Sequence, residues 1–427
     1  MDPFNHLPME MRLEIFLCVR AKESAAALIC ASPALLRSFV SFKVQILTSL
    51  IAADLDDELI HHAVAIVEYP ERNRFAKQHL AAWHNRQLPN PLQGHYPEIF
   101  EKVDKLHSLI LRLMQDYITK ATSRFSPRDY LCLPNIHAPT VDGHSVFRGQ
   151  RVTTMVRTDV LTGTERKRFL KAFLLYELNS KAPRPGNAFR IRRMNNGRHD
   201  DPSVSVSLAD DAALQCIHTY ICSLHGAIFA QCGDAWLPEP PNDSSLEPGL
   251  LFPDSLYVDP NTYMSDLVIP PARRGELAAE FAKFGLGFVV DLLGYDISDP
   301  RQKESLLVRL EDFWNSYPRI QKRYLNRITK VSPDLAGDAP MHDQLNLQLT
   351  STMELQKKIF EQHAWVFFDN ARLYPTASHF PSAAFLENEG DKMVWFQGWE
   401  HNSTRIRALC RSKKWHDDYK KEVESDL

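Results

Sequence analysis

Apolar residues recur at helical spacing along most of this chain of 427 residues. The clearest run alternates steps of four and three residues, at Ile99, Val103, Leu106, Ile110, Leu113 and Tyr117. This spacing places the six side chains in one stripe along a single helix face. The stripe is too short for a long coiled coil, so it favours a helix packed in a bundle over a coiled-coil dimer. We therefore predict a mainly α-helical fold.

Other segments show related patterns. Helices are predicted through the first third of the chain, and again over Glu165–Leu178, Ala212–Cys232, Gly275–Leu293, Arg301–Ile328 and Met353–Leu373. Between Phe125 and Gly163 prolines and glycines interrupt the pattern, which predicts long proline-rich loops and one short strand at Arg151–Thr158. No internal repeat is present, so the patterns characteristic of solenoids and propellers are absent from the sequence.

The composition is that of an ordinary globular protein, with 44% apolar and 24% charged residues. A net charge of −3 gives no overall attraction to nucleic acid or acidic membranes. The seven cysteines are scattered and the first residues lack a signal-peptide pattern, so we expect reduced thiols in the cytoplasm, the nucleus or both. The uncharged stretch Ala212–Gly233 contains several polar side chains, and we expect no membrane-spanning helix.

Two charged blocks follow each other in the middle of the chain. The first is basic, with Lys181, Arg184, Arg190, Arg192, Arg193 and Arg198 and no acid, whereas residues 199–272 contain no Lys or Arg and many acids. One interpretation is a charged loop and connector over residues 181–272. The other is a loop that binds an anionic partner through Arg184, Arg190, Arg192, Arg193 and Arg198.

The most informative motif lies near the start of the chain. Residues 7–16 read LPMEMRLEIF, residues 28–32 read LICAS, and Leu35, Leu36 and Phe39 follow at helical spacing. These segments, in this order and at this spacing, resemble an F-box. The combination with a long helical region is similar to a large group of proteins from filamentous fungi that carry a degenerate F-box at the N-terminus.

The resemblance implies a three-helix unit that docks on a Skp-family adaptor and so joins a cullin–RING ubiquitin ligase. The F-box-like unit would cover residues 1–53 and pack on a larger, irregular helical domain at 54–427, with an internal break within 125–163 as an option. Such a protein recruits a protein substrate and is not itself an enzyme. The residues expected to form or support the adaptor contact are Leu7, Pro8, Met11, Ile15, Leu28, Leu35 and Phe39.

Patterns for catalysis or metal binding are weak. His218, Cys222 and His225 share a helix face and could ligate zinc, but no Cys-x-x-Cys pair accompanies them, and a packed core is the better interpretation. Glu58, His61 and His62 share a helix face next to Asp54, Asp56 and Asp57, and we interpret this segment as a hydrated acidic face rather than a metal or acid–base site. We find no catalytic motif and expect no metal and no cofactor.

Aromatic and basic residues alternate near the C-terminus, at Trp395, Phe396, Trp399, Arg405 and Arg407. Such residues can bind single-stranded nucleic acid, but indole rings more often fix a terminal helix on a core, so we do not expect nucleic acid as a partner. Two further hypotheses stay open. In the first, the chain is a helical scaffold in which the F-box-like helices are only structural. In the second, it is an enzyme that lacks a recognisable motif.

Overall fold

The computed structural model of the chain describes residues 2–19, 21–71, 73–94, 96–136, 143–181, 208–233, 235–239, 257–261, 277–316, 354–369 and 372. Helices account for 69% of these residues and strands for 4%. The predicted mainly α-helical class is therefore confirmed. The predicted interactions of the basic loop and of the aromatic C-terminal segment fall on residues outside the described ranges.

The chain divides into two compact units. Unit 1 comprises Met1–Gln115, Ile136–His144 and Thr154–Ser205, and unit 2 comprises Asp116–Asn135, Ser145–Thr153 and Val206–Leu427. Neither unit ends near residue 53, and a separate domain boundary at that position stays a prediction.

The described part of unit 1 is mainly helical and includes two short 3-10 turns, Pro3–His6 and Thr158–Val160. Its α-helices are α1 (Met9–Cys18), α2 (Lys22–Ala31), α3 (Pro33–Ser41), α4 (Lys43–Asp54), α5 (Asp57–Val67), α6 (Asn73–His84), most of α7 (Pro97–Ala121) and α9 (Gly163–Lys181). The four interruptions between α1 and α5 are only one to three residues long, which keeps consecutive helices adjacent.

Local hydrogen bonds explain where several of these helices begin. Ser32 caps α3 by accepting a bond from the backbone N–H of Leu35, and Pro33 takes the first helical position, where no N–H is needed. Asp56 caps α5 in the same way. Thr162 and Glu165 form a reciprocal capping box at the start of α9, each accepting the backbone N–H of the other.

Unit 2 contains the helices α8 (Ser126–Tyr130), α10 (Leu208–Cys232), α11 (Leu277–Ala282), α12 (Gly285–Leu293), α13 (Pro300–Ser316) and α14 (Glu354–Gln362). The single helix predicted over Gly275–Leu293 is wrong in one respect, because α11 and α12 are separate helices. Gly285, the first residue of α12, has φ 79°, a left-handed conformation that interrupts the helical path between α11 and α12.

A small sheet lies mostly in unit 2, with strands β1 (Leu133–Pro134), β2 (His144–Phe147) and β3 (Gln150–Thr154) in that order. β1 and β2 are antiparallel, with Leu133 opposite Val146. β2 and β3 are joined by Arg148 and Gly149, whose φ angles of 47° and 79° are those of a tight hairpin turn. The strand predicted at Arg151–Thr158 is thus present only in its first part, because β3 ends at Thr154 and a 3-10 turn begins at Thr158. It is one member of a sheet, and α8 interrupts the predicted loop.

Among the described residues no single helix combines the length and apolar character needed to cross a membrane. One pair of helices within the described ranges, Pro33–Ser41 and Lys43–Asp54, reaches that length and composition together, and this pair is bent by 87°.

Candidate protein-binding surface

The first four helices, α1–α4, share a small apolar core and are called the N-terminal bundle below. Its buried centre consists of Phe16, Ala25, Leu35, Ile46 and Leu50. The ring of Phe39 packs against that of Phe16, with 5.9 Å between the ring centroids. Burial of each large apolar side chain in such a core contributes about 1.5–3 kcal/mol, so this cluster accounts for why four short helices fold together.

The N-terminal bundle also exposes large apolar side chains. The exposed fractions are 38% for Met9, 53% for Met11, 44% for Leu36, 67% for Val40 and 68% for Val44. These five residues are called the exposed N-terminal set below. They form the majority of the large hydrophobic side chains that are exposed in the described part of the chain. Exposed apolar residues that concentrate in one short segment are typical of a protein-binding surface.

The structure separates the predicted contact residues into three groups. Pro8 and Met11 are exposed, whereas Leu35 is completely buried and can support such a surface only from inside. The remaining predicted contact residues are half-buried, namely Leu7, Ile15, Leu28 and Phe39. The prediction missed Met9, Leu36, Val40 and Val44. Leu36 and Val40 could have been found, because they lie four residues apart and off the buried stripe of α3.

The residues before α1 are attached to the start of α3. Asp2 Oδ2 accepts hydrogen bonds from the Ser32 hydroxyl (2.7 Å) and from the backbone N–H of Ala34 (3.0 Å). The Arg37 guanidinium donates to the Asn5 side chain at 3.0 Å. The hydrogen bond from Ser32 is the main reason that the pKa of Asp2 lies below its ordinary value. These contacts hold the chain in place just before Pro8 and the exposed N-terminal set.

A buried carboxylate lies at the C-terminal end of the same bundle. Asp54 accepts two hydrogen bonds from the Arg166 guanidinium, at 2.5 and 2.6 Å, and a third from His107 Nε2 at 2.8 Å. Burial alone would raise the pKa of Asp54, but the bonds from His107 and Arg166 hold it below its ordinary value. Burial lowers the pKa of His107, and the nearby Lys22 and Arg166 cations lower it further against the opposing effect of Asp54.

The network continues from Arg166 to α2. Arg166 Nη1 donates to the Thr158 hydroxyl at 2.8 Å, and that hydroxyl donates to Glu23 Oε1 at 3.0 Å. The Gln115 amide donates to the same Glu23 oxygen at 2.8 Å. Two buried atoms of this network, Glu23 Oε2 and His107 Nδ1, have no hydrogen-bond partner among the described residues. Sequence patterns do not reveal the network because its members are up to 135 positions apart.

The acidic segment 54–58 is the predicted hydrated face only in part, because Asp56 and Asp57 are exposed and Glu58 is partly exposed, whereas the Asp54 carboxylate is buried. Asp54 is buried and paired as described, while Asp56 pairs with Lys167 at 2.5 Å and Glu58 with Lys171 at 3.2 Å. For Asp54 the interpretation was wrong because its basic partner, Arg166, lies on α9, more than 100 positions away. These ion pairs join the start of α5 to α9.

The residues considered for zinc binding lie in α10 of unit 2. His218 Nε2 is 3.5 Å from the Cys222 sulfur, whereas His225 is enclosed by the rings of Phe229, Phe281 and Phe288. Burial lowers the pKa of His218 to about 4 and that of His225 to about 3, so both rings are neutral at physiological pH. Within the described ranges no group of His, Cys, Asp or Glu side chains is arranged to hold a metal ion.

Comparison with known proteins finds no match to this chain among family models, curated proteins or solved structures.

Proposed function

We propose that this chain is a non-catalytic, substrate-recruiting subunit of a cullin–RING ubiquitin ligase, in the cytoplasm, the nucleus or both. Its N-terminal bundle would dock a Skp-family adaptor, and the region after about residue 54 would select a protein substrate. The resemblance of residues 7–39 to an F-box is the starting point of this proposal.

The observation that carries the proposal is the exposed N-terminal set, Met9, Met11, Leu36, Val40 and Val44. Water-exposed Met and Val side chains contribute little to the stability of the bundle, but they become favourable when a partner covers them. A helical partner that inserts between or over such side chains gains this energy from a few anchor residues. Three of these five side chains lie within the F-box-like residues 7–39, and Val40 and Val44 follow shortly after them.

The alternative is a helical scaffold protein in which these helices are only structural. The complete burial of Leu35, one of the predicted contact residues, favours this alternative. The two proposals differ in one measurable property. A ligase subunit binds a Skp-family adaptor with defined stoichiometry, whereas a scaffold does not.

The experiment is co-purification of the full chain with a Skp-family adaptor. The informative variant is Met11→Asp with Val44→Asp, because both residues are exposed and lie in the first turns of α1 and α4. An acidic side chain is favourable at a helix N-terminus, so the variant is expected to fold. Val308→Asp is the matched control, since Val308 is 52% exposed but lies on α13.

The proposal predicts a one-to-one complex with the wild type and with the control, and its loss in the double variant. Absence of a complex with the wild-type chain would contradict it. Equal binding by the double variant would place the adaptor contact elsewhere and contradict the role of the exposed N-terminal set.

A further inference from the structure

The N-terminal bundle is joined to helices α7 and α9 of unit 1 through polar side chains. From α2, Lys22 pairs with Asp104 at 2.5 Å and donates to Ser108 at 2.9 Å. From α4, the Asp54 carboxylate receives its three hydrogen bonds from His107 of α7 and Arg166 of α9. These groups are mostly buried, so each bond is made away from competing water and depends on its partner.

His107 lies at the centre of this arrangement, where its imidazole ring can carry a proton on only one of its two nitrogens. Its Nε2–H donates to Asp54, so Nδ1 carries the lone pair of the neutral ring. Nδ1 is buried and has no hydrogen-bond partner among the described residues. A second proton would therefore create a buried N–H without an acceptor, in a ring that is 1% exposed.

The charges around the ring come from each helix packed against it. They are Lys22 and Glu23 of α2, Asp54 of α4, Asp104 of α7 itself and Arg166 of α9. Asp54 and Asp104 are already paired with Arg166 and Lys22, and among the described residues no acceptor, the free Glu23 Oε2 included, lies within hydrogen-bond distance of His107 Nδ1. The Lys22 and Arg166 cations oppose the effect of the Asp54 carboxylate on His107, and burial of the ring decides against its protonation.

We propose that Asp54, His107 and Arg166 form an acid-sensitive clasp that holds the N-terminal bundle on α7 and α9. At neutral pH the neutral imidazole of His107 donates the third hydrogen bond to Asp54, and the clasp is closed. As the pH falls, opening is favoured because the released imidazole is free to take up a proton and be hydrated. This inference concerns the fold of unit 1 and does not depend on whether an adaptor binds.

Proton linkage sets the direction in which the stability of the closed clasp changes with pH. Burial places the pKa of His107 in the closed clasp below its ordinary value, whereas the released ring titrates near about 6.5. The closed clasp is therefore fully stable above that ordinary pKa and loses stability as the pH falls below it. Between pH 7.5 and 5.5 the opening equilibrium is expected to increase about tenfold.

Amide hydrogen exchange of the full chain tests the proposal, with peptides from α4 and from the middle of α7 compared at the two pH values after correction for intrinsic exchange rates. The key variant is His107→Gln, whose amide can still donate to Asp54 but does not titrate. We expect opening to rise about tenfold on acidification in the wild type, and to be unchanged in the variant, which must first show a wild-type circular dichroism spectrum.

A second variant keeps the test decisive if His107→Gln does not fold. Asp54→Asn retains an acceptor for His107 but loses the ion pair with Arg166, so α4 and α7 should exchange rapidly already at pH 7.5. Three results would overturn the clasp: a wild type without increased exchange in acid, a folded His107→Gln protein with the wild-type pH response, or an Asp54→Asn protein with wild-type exchange at neutral pH.

Discussion

Asp116 and Lys120 lie one turn apart on α7 and form a salt bridge of 2.6 Å in which each side chain is only 1% exposed. The Tyr220 hydroxyl donates to the same Asp116 oxygen at 2.8 Å. Lys120 also lies over the rings of Tyr130 and Tyr220, at 5.9 and 5.7 Å from their centroids. Burial raises the pKa of Asp116, and Lys120 opposes that effect. Unit 2 thus contains a fully buried, paired charge cluster.

Removal of one member of this pair is predicted to be costly. Lys120→Met leaves the Asp116 carboxylate buried without its cation, which should reduce the free energy of unfolding by about 3–5 kcal/mol. Urea denaturation followed by circular dichroism measures this loss. The double variant with Asp116→Asn should recover a large part of it, because no buried charge then remains. A Lys120→Met protein as stable as the wild type would show that the pair contributes nothing.

A second prediction concerns His62 on α5. The indole N–H of Trp83 donates to His62 Nδ1 at 3.1 Å, so this nitrogen must be unprotonated. His62→Phe removes the acceptor and is expected to cost about 1–3 kcal/mol in thermal unfolding. His62→Asn is the control, since its side-chain oxygen occupies the position of Nδ1 and can accept the same bond. If both variants lose the same stability, the hydrogen bond is not the cause.

Gly226 on α10 supports a third prediction. A Cβ atom at this position would lie 2.5 Å from the Cα of Pro260, and backbone cannot move aside cheaply. Gly226→Ala is therefore expected to destabilise the protein by about 1–3 kcal/mol.

The matched substitution is Gly287→Ala on α12, where an added Cβ meets no atom within 4 Å. It should instead stabilise the protein by about 0.5–1 kcal/mol, because alanine loses less backbone entropy in a helix. Chemical denaturation of the two variants side by side tests whether the substitutions change the free energy of unfolding in opposite directions. Equal effects at the two positions would contradict the close approach of Gly226 and Pro260.

A fourth prediction addresses the attachment of the first residues. Asp2→Ala removes the acceptor of the Ser32 hydroxyl and of the Ala34 N–H, so amides at the start of α3 and in residues 3–7 should exchange faster. Glu10→Ala, which removes an exposed acid from α1, is the control and should leave these amides unchanged. Unaltered exchange in Asp2→Ala would mean that the Asp2 bonds do not hold this segment.

The helices could largely be predicted from sequence, whereas the polar networks could not. On α7 the apolar stripe predicted the helix, and Val103 and Ile110 are buried as its periodicity implies. His107, Gln115 and Asp116 on the same helix are buried as well, although a hydrophobic pattern places polar residues towards water. Each of them has a partner that is 53, 92 or 104 positions away, and no local pattern indicates a contact of that range.

The candidate surface was predicted only in part, for a related reason. The motif indicated the segment that carries the exposed apolar residues, but not which side chains face solvent. Leu35 and Leu36 are neighbours in the sequence, yet one is buried in the core and the other is 44% exposed. That choice depends on how α3 packs against α1 and α2, which is decided by the tertiary structure.

We propose that the N-terminal bundle binds a Skp-family adaptor. Isothermal titration of a purified adaptor into the full chain measures the affinity and stoichiometry of this binding. The account predicts one-to-one binding by the wild type and by Val308→Asp, and at least a hundredfold weaker binding, a loss of about 2.7 kcal/mol, by Met11→Asp with Val44→Asp. Absence of heat with a folded wild-type chain would contradict the account, as would unchanged affinity in the double variant.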